Sequence, residues 1–253
     1  MSKLLPPNFD SRVRDAVIHF WRGRLSSAII SQEGGRGSVI GGKNLDGFSE
    51  LIREVALFCG IPAENILVTG KSRLTLPGYF RPTKMWDSLV VYKSRLVAAF
   101  ELKSQVGPSF GNNFNNRSEE SIGSATDFWT AHRENAFTVA DGSELFEIKD
   151  SKPPFLGYMM LLEECPRSTS RVRLDETHFK VSPEFIDSSY ARRYELLVER
   201  LVSEKLYSSA CLILSDKENG GSIGAFASPK VTLSPTNLFA DFAAALLSAK
   251  ETY

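Results

Sequence analysis

Apolar residues recur along this chain in two rhythms. Between residues 9 and 30 (FDSRVRDAVIHFWRGRLSSAII) they fall three or four apart, at Val13, Val17, Phe20 and Trp21. That spacing, with Asp10 or Ser11 to cap the start, predicts a helix. Residues 46–59 (DGFSELIREVALFC) repeat it through Phe48, Leu51, Ile52, Val55 and Phe58, and Gly60 and Pro62 end it. Short apolar runs at 66–69 and 74–76 then predict strands, with Pro77, Gly78 and Pro82 breaking the path. Residues 86–105 (WDSLVVYKSRLVAAFELKSQ) predict a hairpin. Its first strand covers 89–92, Lys93, Ser94 and Arg95 form a polar turn, and 96–102 is apolar enough to be buried on both faces. A loop over 107–117 and a helix from Ser118 to about Phe137 are expected next. Runs at 155–163 and 209–215 predict buried strands. Residues 166–180 read as charged and irregular, and Gly220, Gly221 and Gly224 as a loop. Residues 188–206 and 236–249 predict helices. The order of elements predicts a mixed α/β fold, one mixed sheet flanked by helices, in a single domain over 1–253.

The polar exceptions inside the hairpin carry the chemistry. Residues two apart on a strand share a face, so Glu101 and Lys103 project together, and the hairpin can bring Asp87 beside them. Two close carboxylates repel unless a cation lies between them. Hard oxygen ligands on a small site suit Mg²⁺, which keeps several waters and shares its shell with a phosphate. A lysine beside such an ion can orient or deprotonate an attacking water, or hold a phosphate. Asp, thirteen residues, then Glu-Leu-Lys is therefore a pattern for metal-dependent phosphodiester cleavage, although E-x-K alone occurs by chance in many proteins. Glu54 lies one turn from Glu50 on the second predicted helix; it is a candidate third acid, or half of a solvated carboxylate pair. His19 and His132 sit in apolar helical stripes and are expected to pack.

Composition alters the picture only locally. Lys+Arg and Asp+Glu each number 30, so no global field attracts nucleic acid. Yet residues 71–117 hold eight basic residues (Lys71, Arg73, Arg81, Lys84, Lys93, Arg95, Lys103, Arg117) and two acids, Asp87 and Glu101. A positive surface around a two-carboxylate site suits a polyanion. Within that block, Asn112, Asn113, Asn115, Asn116 and Arg117 are of the types that pair with adenine and guanine edges, although Asn also serves turns. Gly37 to Lys43 matches a phosphate-cradling loop, but Asn44 stands where a magnesium-binding hydroxyl is needed, so no nucleotide cofactor is expected. Arg36, Lys43 and the backbone of that loop are instead expected against a DNA backbone. Cys59, Cys165 and Cys211 are dispersed among apolar residues, as reduced buried thiols are. No apolar run reaches the ~20 residues of a membrane span, and MSKLLPPNFD lacks the core of a secretory leader, so a cytoplasmic location is expected.

Four stretches together resemble the XhoI family of type II restriction endonucleases: WDSLVV (86–91), ELKSQ (101–105), NNFNNRSEESIGSA (112–125) and GGKNLDGF (41–48). The resemblance implies a PD-(D/E)xK nuclease fold, a homodimer, Mg²⁺, and cleavage of double-stranded DNA within CTCGAG leaving 5′ overhangs. It implies that Asp87 and Glu101 bind metal and that Lys103 is catalytic. Leu102, between them, joins the metal-binding set, and Gln105 the DNA-contacting one. Trp86 stands where the broad motif has Pro, a residue that shapes the turn rather than the chemistry. The rivals are a non-catalytic DNA-binding protein on the same fold and a structure-selective repair nuclease.

Overall fold

The computed structural model describes residues 4–32, 44–137, 152–174 and 178–252. A five-stranded mixed sheet forms its centre. In chain order the strands are β1 (Ile66–Leu67), β4 (Ser88–Tyr92), β5 (Arg95–Gln105), β6 (Phe155–Glu163) and β7 (Ser209–Ser215), and they lie side by side in that order. β1, β4 and β5 pair antiparallel, whereas β5, β6 and β7 are parallel. A separate two-stranded ribbon, β2 (Thr75–Pro77) and β3 (Thr83–Met85), precedes β4.

The expected hairpin is present, and its turn is tighter than expected. Lys93 and Ser94 both adopt positive φ, 48° and 59°, and Tyr92 pairs directly with Arg95. Two left-handed residues match the twist of the flanking strands. β5 continues past Leu102 to Gln105, so Glu101 and Lys103 lie inside a paired strand rather than at its end.

Strand alternation divides the core into two. Ala98, Phe100 and Leu102 of β5 face a cluster built with α1 (Phe9–Gln32), α2 (Asp46–Phe58) and α7 (Pro235–Thr252). Leu89, Ala99, Tyr158 and Met160 face the opposite cluster, closed by α3 (Phe110–Arg133) and α5 (Tyr190–Ser203). α5 is thus a core helix, burying Tyr194, Leu197, Val198 and Leu201.

Three expectations are corrected. The stretch expected as a loop before Ser118 is helical from Phe110 onward. Phe110 stacks on Tyr190 at 5.9 Å and Phe114 meets Tyr194 edge-on at 5.2 Å, so two aromatics one turn apart anchor a run of poor helix formers. Ser118 does not cap; its hydroxyl donates to the Phe114 carbonyl inside the helix. The glycines at 220 and 221 belong to a short helix, α6 (Lys217–Ile223), capped by Asp216, which accepts from the amides of Glu218 and Asn219, and ended by Gly224 at φ 66°. A Cβ on Gly220 would lie 2.4 Å from Trp21 Nε1, so this glycine permits close packing rather than a loop. Finally, 166–180 begins with one ordered turn, α4 (Pro166–Thr169).

Candidate active site

Glu101 is the buried centre of a polar cluster on the α3 side of the sheet. It is 1% exposed, in a strand otherwise lined by Ala99, Phe100 and Leu102. Its Oε1 pairs with Lys103 Nζ, two residues along the same strand face. Its Oε2 lies 2.7 Å from the ammonium of Lys84, which reaches in from β3. Burial pushes the Glu101 carboxyl upward, but Lys103 and Lys84 outweigh it and hold Glu101 below the usual carboxylate range.

Asp87 opens β4 beside it. The backbone bond from Asp87 N to Phe100 O (3.1 Å) sets the register, and Asp87 Oδ2 accepts from Leu102 N at 2.7 Å. Burial, and next the charge of Glu101, push Asp87 up to about 6. The hairpin therefore brings the two carboxylates within electrostatic reach, as the sequence reading requires. Leu102 contributes its amide to Asp87, while its side chain is buried on the other face of the sheet.

A groove of about 630 Å³ opens over this cluster, lined by Arg81, Lys84, Glu101, Lys103, Arg117 and Glu120 among others. One wall is α3, where Lys103 Nζ stands 4.0 Å from Glu120 and Arg117 pairs with the same Glu120. The other wall is the β2–β3 ribbon. Buried Asp127 of α3 latches the two walls together: it accepts from the amides of Tyr79 (2.9 Å) and Phe80 (2.8 Å) and from Arg81 Nε (2.8 Å). Beyond that latch, Phe80 stands 69% exposed at the groove's rim, with exposed Tyr79 edge-on against it. Lys84, Glu120 and Asp127 were missed by sequence reasoning. Only a count of charges flagged Lys84, and nothing local marks a buried aspartate on a helix.

The remaining expected residues divide. Asn112, Asn115 and Asn116 are exposed on the first two turns of α3, and Asn113 is half-buried. Among the described residues, no side-chain hydrogen bond within the protein occupies those three exposed amides, and Arg117 continues toward the groove. Gln105 is not available to a ligand; it is 2% exposed and donates to the Val106 carbonyl. Glu54 is on the wrong side of the sheet. α2 packs in the cluster that receives Phe100 and Leu102, and both Glu54 oxygens are bonded by Arg12 of α1. Arg36 and Lys43 lie outside the described residues. His132 packs edge-on against Trp129.

The donor set can be tested against a metal. Among the described residues, no group of three His, Cys, Asp or Glu converges, which does not suit zinc or calcium. Two carboxylates do suit magnesium, which leaves most of its shell to water and phosphate. Buried Glu101 Oε2 is faced by the Lys84 ammonium alone, which approaches it off-angle, so this oxygen is open to a metal ion once that ammonium yields it. No helix among the described residues is long and apolar enough to cross a membrane.

A family model described as restriction endonuclease XhoI matches residues 26–228. The chain is 51% identical over 192 residues to the type II restriction enzyme BstVI of Geobacillus stearothermophilus, covering 74% of this chain and 80% of that protein. It is 43% identical over 235 residues to the type II restriction enzyme XhoI of Xanthomonas vasicola, covering 88% of each. It is 43% identical over 180 residues to AbrI of Azospirillum brasilense, covering 69% and 76%. No solved structure matches it.

Proposed function

This chain belongs to the XhoI family of restriction endonucleases, and from that membership we propose that it cuts double-stranded DNA within CTCGAG, leaving 5′ overhangs, as a magnesium-dependent homodimer. Its class, a type II site-specific deoxyribonuclease, comes with the family. The metal-dependent cleavage is supported chiefly by one observation: Glu101 and Lys103 line an open groove, and Asp87 lies beside them within electrostatic reach of both.

Asp87 and Glu101 would hold the ion, at a Glu101 oxygen that an ammonium faces in the free protein. When bound, magnesium supplies positive charge against the scissile phosphate and its leaving oxygen. Lys103 orients the attacking water on the same face of β5, or accepts its proton. Arg81 and Arg117 line the walls and would take backbone phosphates. Asn112, Asn115 and Asn116 present free amides along α3, the chemistry that reads adenine edges in a major groove. A two-fold pair of chains would match a palindrome half-site for half-site. A cytoplasmic location accords with this reading.

Digestion of a DNA of known sequence with Mg²⁺, followed by sequencing of the fragment ends, tests it. Discrete ends within CTCGAG support the proposal; cuts at another site or at branched structures overturn the specificity. Lys103→Ala should lower cleavage at least about a hundredfold while retaining gel retardation of the cognate duplex. Cleavage at the unaltered rate would remove Lys103 from the chemistry.

A further inference from the structure

Lys84 is outside the Asp87–Glu101–Lys103 pattern, yet it occupies the same carboxylate. Its ammonium reaches Glu101 Oε2 at 2.7 Å from a side chain only 12% exposed, and rests 4.7 Å from the centre of the Trp86 ring. Lys103 takes the other oxygen, so each oxygen of Glu101 faces one ammonium. Two lysines thus balance two carboxylates, and the cluster is neutral without any metal. A dication cannot join it unopposed, because an ammonium and a divalent ion cannot share one buried oxygen without strong repulsion. Lys103 shares the strand of Glu101. Lys84 comes from a different element, approaches off-angle, and lines the groove where a phosphate would lie.

We infer that Lys84 is a built-in counter-cation that competes with the metal for Glu101 Oε2 and is exchanged for it. The inference rests on the reading of Asp87 and Glu101 as metal ligands. In the free protein Lys84 neutralises Glu101 and keeps the affinity for metal low. A DNA phosphate in the groove offers the displaced ammonium another partner, so ion and DNA binding reinforce one another. The residue is a positioning group rather than a catalytic one, and its role ends when the ion is seated.

The test is calorimetric binding of Mg²⁺, without DNA, to the full-length protein and its variants, each first checked for a folded circular dichroism spectrum. Lys84→Met should bind Mg²⁺ about tenfold tighter than the unaltered protein. Lys84→Gln serves as a second neutral variant if the methionine form does not fold. Lys84→Arg, which keeps a cation there, should restore the weak affinity. Arg117→Met removes a charge from the same groove without touching Glu101 and should change affinity by less than about threefold. The inference is overturned if neutralising Lys84 leaves affinity unchanged or lowers it, or if Arg117→Met raises it equally. Glu101→Gln separates the two levels of argument. Loss of binding there, with no effect at Lys84, sinks this inference alone; no ion binding by any form sinks the metal-ligand reading with it.

Discussion

Asp87 and Glu101 are neighbours whose carboxyls move in opposite directions. Lys103 and Lys84 outweigh the burial of Glu101, whereas for Asp87 the Leu102 amide and the charges of the same two lysines do not offset its burial and the nearby negative charge. The direction of the Asp87 shift fixes a pH dependence. Its folded value, about 6, lies above the ordinary 3.8, so the native state favours the proton. The stability it contributes is fully present below about pH 4 and lost as pH rises through about 6. In metal-free protein at pH 8, Asp87→Asn should therefore stabilise the fold by up to about 3 kcal/mol, and the gain should vanish at pH 4. Urea unfolding in EDTA at the two pH values reads this directly. Equal stability of both proteins at pH 8 would mean that Asp87 is not strained by its surroundings. At this scale the sequence was informative, because a strand's two-residue period and a hairpin's register place three side chains without help from the rest of the chain.

At the scale of elements, the β2–β3 ribbon matters more than its length suggests. Its turn is latched to α3 by three donors on one buried aspartate, and its second strand carries Lys84 into the site. Asp127→Ala leaves those donors without their acceptor and should cost about 2–3 kcal/mol in denaturant unfolding, with a parallel fall in cleavage. Unchanged stability would show that the ribbon is held by other contacts. β6 offers a second test. A Cβ on Gly157 would fall 2.4 Å from the Phe100 ring, so Gly157→Ala should destabilise by roughly 1–3 kcal/mol through overpacking, seen as a lower melting temperature. Neither the ribbon nor the early start of α3 was legible locally. Asn-rich sequence favours turns, and only the stacking of Phe110 and Phe114 on α5 makes it helical.

At the scale of the molecule, the proposed pair of 28.1 kDa chains on one palindrome predicts a division of labour. A mixed dimer of unaltered and Lys103→Ala protomers should nick supercoiled plasmid to the open circle and linearise it at least about tenfold more slowly than the unaltered dimer. Full linearisation at the ordinary rate would mean that one protomer cuts both strands. The sequence by itself determined the family, the central hairpin and the buried strands of a mixed sheet, and it singled out Asp87, Glu101 and Lys103 as candidates, because these depend on local period and on residues close in the chain. The tertiary structure decided which acids could join. The sheet separates Glu54 from Glu101, a helix crossing brings Glu120 beside Lys103, and a ribbon packed on α3 delivers Lys84. Those outcomes depend on which face of a sheet a helix covers, and that follows from how whole apolar surfaces are buried against one another rather than from any local spacing.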